Sequence, residues 1–247
     1  MYKNQYYPAP SGAQGAPPFT KSELRHAVMV ANGSGRTPER DAALILCSAT
    51  MGLRVTEIAY LEIRHIIAED GSYLLEGWLP GEFSKSGKSA AIFPVNKKFQ
   101  AALDVYLAKR IEKRHMASSD PSKYRGLRPD SKVFLTETGR KFAMAVKKRT
   151  KIEGKKEVVT EYKACDVLER AFKRFYIRAF GEKTEFSSHS GRKYFALHLA
   201  RLVEKRGEEC EGYDDVVTLM RSHNLTAIQP YLIPTKDEIM KEIKGGA

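Results

Sequence analysis

The stretch "TPERDAALILCSATMG", residues 37–52, constrains the fold more than any other part of the chain. Its ends are marked by local chemistry: Thr37 suits an N-cap, Pro38 fits the first helical position, where a missing amide costs nothing, and Gly52 supplies the stop. Between them the residues are apolar on nearly every face rather than along one stripe. A helix of that kind escapes water only when other elements surround it, so a central, buried helix is expected, with the rest of the chain packed about it.

The flanking sequence supplies those neighbours. Thr20 followed by Glu23 reads as a capping box that opens an earlier helix through about residue 31. "LRVTEIAYLEI" follows Gly52 as a shorter helix, which puts Arg54 at a helix–helix junction where a side chain can emerge from the core. Glu57, three positions along the same face, can hold that guanidinium by a bidentate pair. "SYLLEGWLP" and "AAIFPV" are short β-type runs, and "GEFSKSGKS" between them has the Gly, Ser and Lys of a hairpin tip. "KKFQAALDVYLAKRIEKRH" has helical periodicity, and "SSDPSKYRGLRPD" is a loop. A basic, turn-bearing segment around Gly154 precedes a helix over about 166–179. "HSGRKYFALHLARLVEKRG", "YDDVVTLMRSH" and "KDEIMKEIKG" supply three more. The opening residues 1–18, rich in Pro, Gly, Ala and Tyr without periodicity, cannot bury enough surface to offset the entropy of ordering and are expected to form a flexible tail. The expected fold class is α+β, mainly α: one domain over residues 19–247, a helical bundle with a small antiparallel β-sheet near residues 72–95.

Charge narrows the partners. Lys and Arg outnumber Asp and Glu by 42 to 30, a formal charge of +12, which favours a polyanion and nucleic acid first. The basic run over residues 147–156 has two readings, a solvated hairpin or a DNA-touching insertion. Cys47, Cys165 and Cys210 lack the paired short spacings of a zinc site or disulfide framework and read as reduced thiols, Cys47 in the core. No run of 18 or more apolar residues is present and the N-terminus lacks a secretory apolar region, so a cytoplasmic protein is expected, nucleoid-associated if prokaryotic.

The candidate functional residues are weak one at a time. His189 and Arg192 stand three apart at the start of a helix after Ser187 and Ser188, so both can project toward one point beside the anion-attracting helix end. Histidine and arginine at that spacing also occur by chance. Arg54 could be one half of a structural ion pair, and Lys85 an exposed hairpin lysine that aids solubility or a mobile proton donor.

Their order is more specific. "MGLRVTEIAYLEI", "SKSGKSAAIFPV", "SHSGRKYFALHLA" and "RSHNLTAIQPYL" resemble the tyrosine recombinase or phage integrase family, whose catalytic domain presents Arg, Lys, His-x-x-Arg, His or Trp, and Tyr in that order. The similarity extends over roughly residues 19–235. It implies a catalytic set of Arg54, Lys85, His189, Arg192, His223 and Tyr231. Tyr231 would attack a backbone phosphate to give a 3′-phosphotyrosyl link and a free 5′-hydroxyl. Arg54 and Arg192 would clamp the non-bridging oxygens, and Lys85 would protonate the departing 5′-oxygen. His189 would accept the tyrosine proton or position the phosphate, and His223 would hydrogen-bond a non-bridging oxygen. These roles call for no metal and no cofactor. Lys88 rivals Lys85, which is favoured because the family's lysine opens a K-x-G turn.

The resemblance further implies double-stranded DNA as partner, a homo-tetramer on its recombination site and a monomer when free. Lys88, Lys147, Lys148, Arg149, Lys151, Lys155 and Lys156 are the candidate backbone contacts, and binding should weaken by roughly 0.9 log units per contact per decade of salt. Three departures stand out. "MRSH" replaces the family's "LGH", and Tyr231 follows His223 by one residue fewer than usual. Pro230 biases Gln229 away from helical geometry. No separate core-binding domain is expected before residue 19, so either the domain acts alone or an accessory DNA-binding protein closes the clamp. The alternatives to a recombinase are a catalytically impaired DNA-binding module and type IB topoisomerase-like strand relaxation.

Overall fold

The computed structural model describes residues 15–83, 87, 89–153 and 156–206; at 149, 151–153, 156, 158 and 202–206 the description stops at the backbone. The expected helices at 207–247 lie outside the described residues. Helix α1 (Lys21–Gly33) opens on the capping box read from sequence: the Thr20 hydroxyl accepts from the Glu23 amide, and the Glu23 carboxylate accepts from the Thr20 amide at 2.7 Å. Helix α2 (Pro38–Met51) follows, and from Ala42 to Ile45 it is 0% exposed at every position. That all-round burial follows from its neighbours, because α2 packs against α1, α4 (Lys97–Glu112) and α6 (Ser188–Arg206), while α5 (Asp166–Phe180) packs on α1.

One detail of α2 differs from the sequence expectation. Thr37 occupies the N-cap but its hydroxyl makes no capping bond and donates to Asp41 Oδ1 at 3.3 Å. The reason lies in the buried charge beside it. Asp41 Oδ1 also accepts from Arg40 Nε and Nη2, Arg40 Nη1 donates to the Leu135 carbonyl, and Arg178 of α5 donates to Asp41 Oδ2 at 3.4 Å. Burial pushes the Asp41 carboxyl pKa up, and the two guanidinium groups oppose that shift. This network ties the first turn of α2 to the last turn of α5.

Helix α3 (Val55–Tyr60) is shorter than its sequence suggests. The chain turns extended at Leu61 and Glu62, where Leu61 accepts from the Val133 amide at 2.7 Å and Glu62 bridges to Lys132. Pairing with a distant segment thus ends a helix that local propensity would continue. The small sheet falls within the expected residues 72–95: β1 (Gly77–Leu79) pairs antiparallel with β2 (Ala90–Ile92). A second, longer ribbon is formed by β3 (Ala145–Glu153) and β4 (Lys156–Ala164), so the basic segment around Gly154 is a hairpin. Residues 15–18 are irregular, and Phe19 is buried against the rings of Tyr176, Phe180 and Phe186. Among the described residues no helix is long and apolar enough to cross a membrane.

Candidate active site

The site is built where α2 stops. Gly52 adopts φ +60° and ψ 24°, the left-handed conformation that costs a glycine nothing, and its amide donates to the Ser48 carbonyl. Only Leu53, fully buried, separates it from Arg54, the N-cap of α3. The end of one helix and the start of the next therefore share one small region, and Arg54 is positioned by both. Its partner is Glu57, whose side chain is 0% exposed: one carboxylate oxygen accepts from Arg54 Nη1 at 2.9 Å and the other from the Arg54 backbone amide at 2.7 Å. The same carboxylate caps the helix and orients the guanidinium. Glu57→Ala is expected to cost about 2 kcal/mol, the range of hydrogen bonds to charged groups, read as a lowered denaturation midpoint. An unchanged midpoint would mean that water replaces the carboxylate at no cost.

Helix α6 brings the second arginine to that region. Ser187 precedes its first turn, accepting on Oγ from the His189 amide, while Ser190 Oγ accepts from the Ser187 amide at 3.1 Å. This reciprocal cap fixes where α6 begins. His189 is exposed in the first turn with its Nδ1 3.4 Å from the Ser188 hydroxyl, whereas Arg192 is 2% exposed and donates from Nη1 to the Gly52 carbonyl. That bond joins residues 140 apart and sets Arg192 against a carbonyl two residues before Arg54. Close approach of α2 and α6 makes it possible. A Cβ on Gly191 would lie 2.6 Å from Ser48 Oγ and 3.2 Å from the Ala49 amide nitrogen. Lys193, the next residue, is half-buried; burial pushes its pKa down, and its ammonium donates to the Gly15 carbonyl at 3.4 Å.

Lys85, Lys88, His223 and Tyr231 lie outside the described residues, as does Lys155. The two ends of the connection that carries Lys85 are described. The β1–β2 connection starts as a short turn at Gly81–Phe83 and is closed at its base by the Gly81 amide donating to Ser89 Oγ at 3.1 Å. Phe83 stacks on Tyr60, the last residue of α3, with ring centroids 4.3 Å apart. The root of this connection thus sits on the far end of the short helix that Arg54 caps.

The basic ribbon partly neutralises itself. Lys147 reaches Asp166 at the start of α5 at 2.5 Å, an interaction that raises the lysine pKa, and Lys148 pairs across the strands with Glu161 at 3.4 Å. Both are solvent-facing ion pairs of small net strength, so a phosphate can compete for either lysine. Arg149, Lys151 and Lys156 are described in backbone only. Sequence reading missed Gly52 as the acceptor for Arg192, and it missed Lys132 and Lys163, which flank the Tyr60 ring at 5.4 and 5.6 Å. Nothing in the sequence separates those two from other lysines. Among the described residues no group of His, Cys, Asp and Glu is placed to hold a metal ion.

A buried central helix, a short helix capped by arginine, a hairpin and a His-x-x-Arg helix crossing the centre together form the tyrosine-recombinase catalytic fold. The chain belongs to the phage integrase family, which it matches over residues 18–204. In three dimensions it is similar to the crystal structure of XerA recombinase, with TM-score 0.60 and 14% identity over 95% of this chain and 66% of that one. It is similar also to XerH site-specific recombinase bound to palindromic difH substrate in a post-cleavage complex, with TM-score 0.56 and 15% identity over 95% of this chain and 53% of that one. The Tn1549 transposon integrase in complex with a circular intermediate DNA gives TM-score 0.54 and 17% identity over 96% and 68%. The chain therefore spans about two thirds of the XerA chain and about half of the XerH chain. No curated protein matches it in sequence.

Proposed function

We propose that the protein cuts and rejoins double-stranded DNA as a site-specific recombinase or integrase, through a 3′-phosphotyrosyl intermediate on Tyr231. The observation that carries this reading is the convergence of Arg54 and Arg192 on the Gly52 helix end, with His189 exposed on the first turn of the same helix as Arg192. The Arg54 guanidinium is oriented by the buried Glu57 carboxylate and that of Arg192 by the Gly52 carbonyl. Guanidinium groups held in place beforehand suit a phosphodiester whose charge grows as a fifth oxygen approaches phosphorus. The DNA bound in the XerH and Tn1549 structures supports the same substrate class.

In this reading the Tyr231 oxygen forms a bond to phosphorus while the bond from phosphorus to the 5′-oxygen breaks. The phenolic proton passes to His189, and Lys85 gives a proton to the departing 5′-oxygen. Arg54, Arg192 and His223 hold the non-bridging oxygens. The bond energy is kept in the phosphotyrosyl link, so a 5′-hydroxyl from another strand reverses the step without a nucleotide triphosphate. Strand exchange between two duplexes needs four such sites, hence four protomers on DNA, and the β3–β4 ribbon supplies backbone contacts.

The test uses duplexes tiling the DNA that flanks the coding sequence, each nicked so that a short fragment diffuses away after cleavage. A denaturant-stable protein–DNA adduct is expected, with the nucleotide mapped to Tyr231 by mass spectrometry. Salt-sensitive binding with no adduct on any duplex would select a DNA-binding module instead. Relaxation of supercoiled plasmid without sequence preference would select a topoisomerase.

A further inference from the structure

Around the Tyr60 ring four elements meet that the proposed chemistry does not use. Tyr60 closes α3. Phe83, in the β1–β2 connection, stacks on it with ring planes 17° apart. Lys132 sets its ammonium 5.4 Å from the Tyr60 centroid and 5.2 Å from that of Phe83, and its Nζ also donates to the Tyr60 carbonyl at 3.0 Å and to Glu62 Oε1 at 2.9 Å. Lys163, from β4, sets its ammonium 5.6 Å from the Tyr60 ring. Both rings are only half-buried, so water exclusion alone is a weak reason for their alignment. Cations over the ring faces and a third anchor through the Tyr60 carbonyl give the pair a defined geometry at the edge of the core.

We propose that Tyr60, Phe83, Lys132 and Lys163 form a joint that holds the Lys85-bearing connection on the end of α3, which makes Tyr60 and Phe83 positioning residues for the proton donor. The lever is short. Six helical residues separate Arg54 from the joint by about 9 Å, and two residues of chain carry Phe83 to Lys85 over at most about 7 Å. Phe83, two residues before the proton donor, is thereby tethered by α3 to the arginine proposed to grip the same phosphate. The ribbon contributes through Lys163, so the DNA-facing hairpin shares this anchor. Proton donation fails when the donor wanders, because the transfer requires hydrogen-bond distance to the 5′-oxygen.

This inference rests on the recombinase reading, and its test separates the two. Phe83→Leu and Tyr60→Leu keep an apolar side chain and remove the stack; Phe83→Tyr keeps it. Cleavage is followed on an adduct-forming nicked duplex carrying either the ordinary phosphodiester or a 5′-bridging phosphorothiolate, whose phosphorus–sulfur bond breaks to a thiolate that needs no proton. The leucine variants are expected to cleave the ordinary duplex about tenfold more slowly, the phosphorothiolate at the unaltered rate, and Phe83→Tyr both at the unaltered rate. Equal loss on both duplexes, or loss on neither, overturns the proposal. Amide hydrogen exchange supplies a readout that needs no activity: both leucine variants should speed exchange over residues 81–89 and leave α2 and α6 unaltered. Unaltered exchange over 81–89 overturns the joint even where cleavage is seen. Absence of any adduct from the unsubstituted protein counts against the recombinase reading, and the exchange measurement still decides the joint.

Discussion

Arg192→Lys is expected to slow the proposed DNA cleavage by a factor on the order of 10² to 10³ while leaving the protein folded, as for loss of one preorganised donor to a developing charge. Arg192 is 2% exposed and already spends one guanidinium nitrogen on the Gly52 carbonyl. In the proposed mechanism the planar fork keeps its bond to the Gly52 carbonyl while other nitrogens of the same group engage the phosphate. A lysine carries the same charge at a single nitrogen on a flexible stem, so anchoring and phosphate contact compete for one ammonium. DNA affinity changes little because the charge is retained, and the loss falls on the chemical step. Single-turnover cleavage at saturating DNA, read beside a binding curve and a melting curve, checks this. Undiminished cleavage by folded Arg192→Lys protein would show that a point charge suffices and that the fork geometry plays no part.

What could be read in the sequence depended on the range of the interaction that fixes each feature. The start of α1, the Pro38 entry to α2 and the Gly52 stop are set by residues within four positions of one another, and they stand where the sequence puts them. The end of α3 is different. "LRVTEIAYLEI" has helical periodicity to its last residue, and only the pairing of Leu61 and Glu62 with residues 132 and 133 ends the helix at Tyr60. The β3–β4 ribbon was legible as a turn around Gly154 but not as two nine-residue strands. Its sequence interleaves charged residues with Val and Tyr, and Val146, Val159 and Tyr162 stay exposed, so no period-2 pattern of burial stands out.

The candidate site divides in the same way. Arg54 with Glu57, and Ser187 with His189, are local pairs whose spacing carries the geometry. The bond from Arg192 to Gly52 joins residues 140 apart, and that from Arg178 to Asp41 joins residues 137 apart. No spacing rule reaches so far. The ordered motifs of the family supplied the expectation that Arg54 and Arg192 act together; the crossing of α2 and α6 supplies the physical means.

That crossing is close, and Gly191→Val tests it. A Cβ at residue 191 would sit 2.6 Å from Ser48 Oγ, 3.0 Å from Ser48 Cβ and 3.2 Å from the Ala49 backbone nitrogen. The hydroxyl could rotate away, but the backbone of a fully enclosed helix cannot yield without moving the core around Leu44, Ile45 and Cys47. Valine adds two methyl groups to that first clash, so α6 must shift outward. The expected loss is about 3 kcal/mol, the upper part of the range for overpacking, read as a lowered denaturation midpoint without a change in slope. Gly191→Ala, which adds the Cβ alone, should lose less. Because Arg192 reaches Gly52 across this contact, cleavage by the valine variant should fall further than its folded fraction accounts for, with DNA binding through the β3–β4 ribbon preserved. A valine variant of full stability would mean that α2 and α6 separate without cost, and the close crossing would then not be what sets Arg192 against the Gly52 carbonyl.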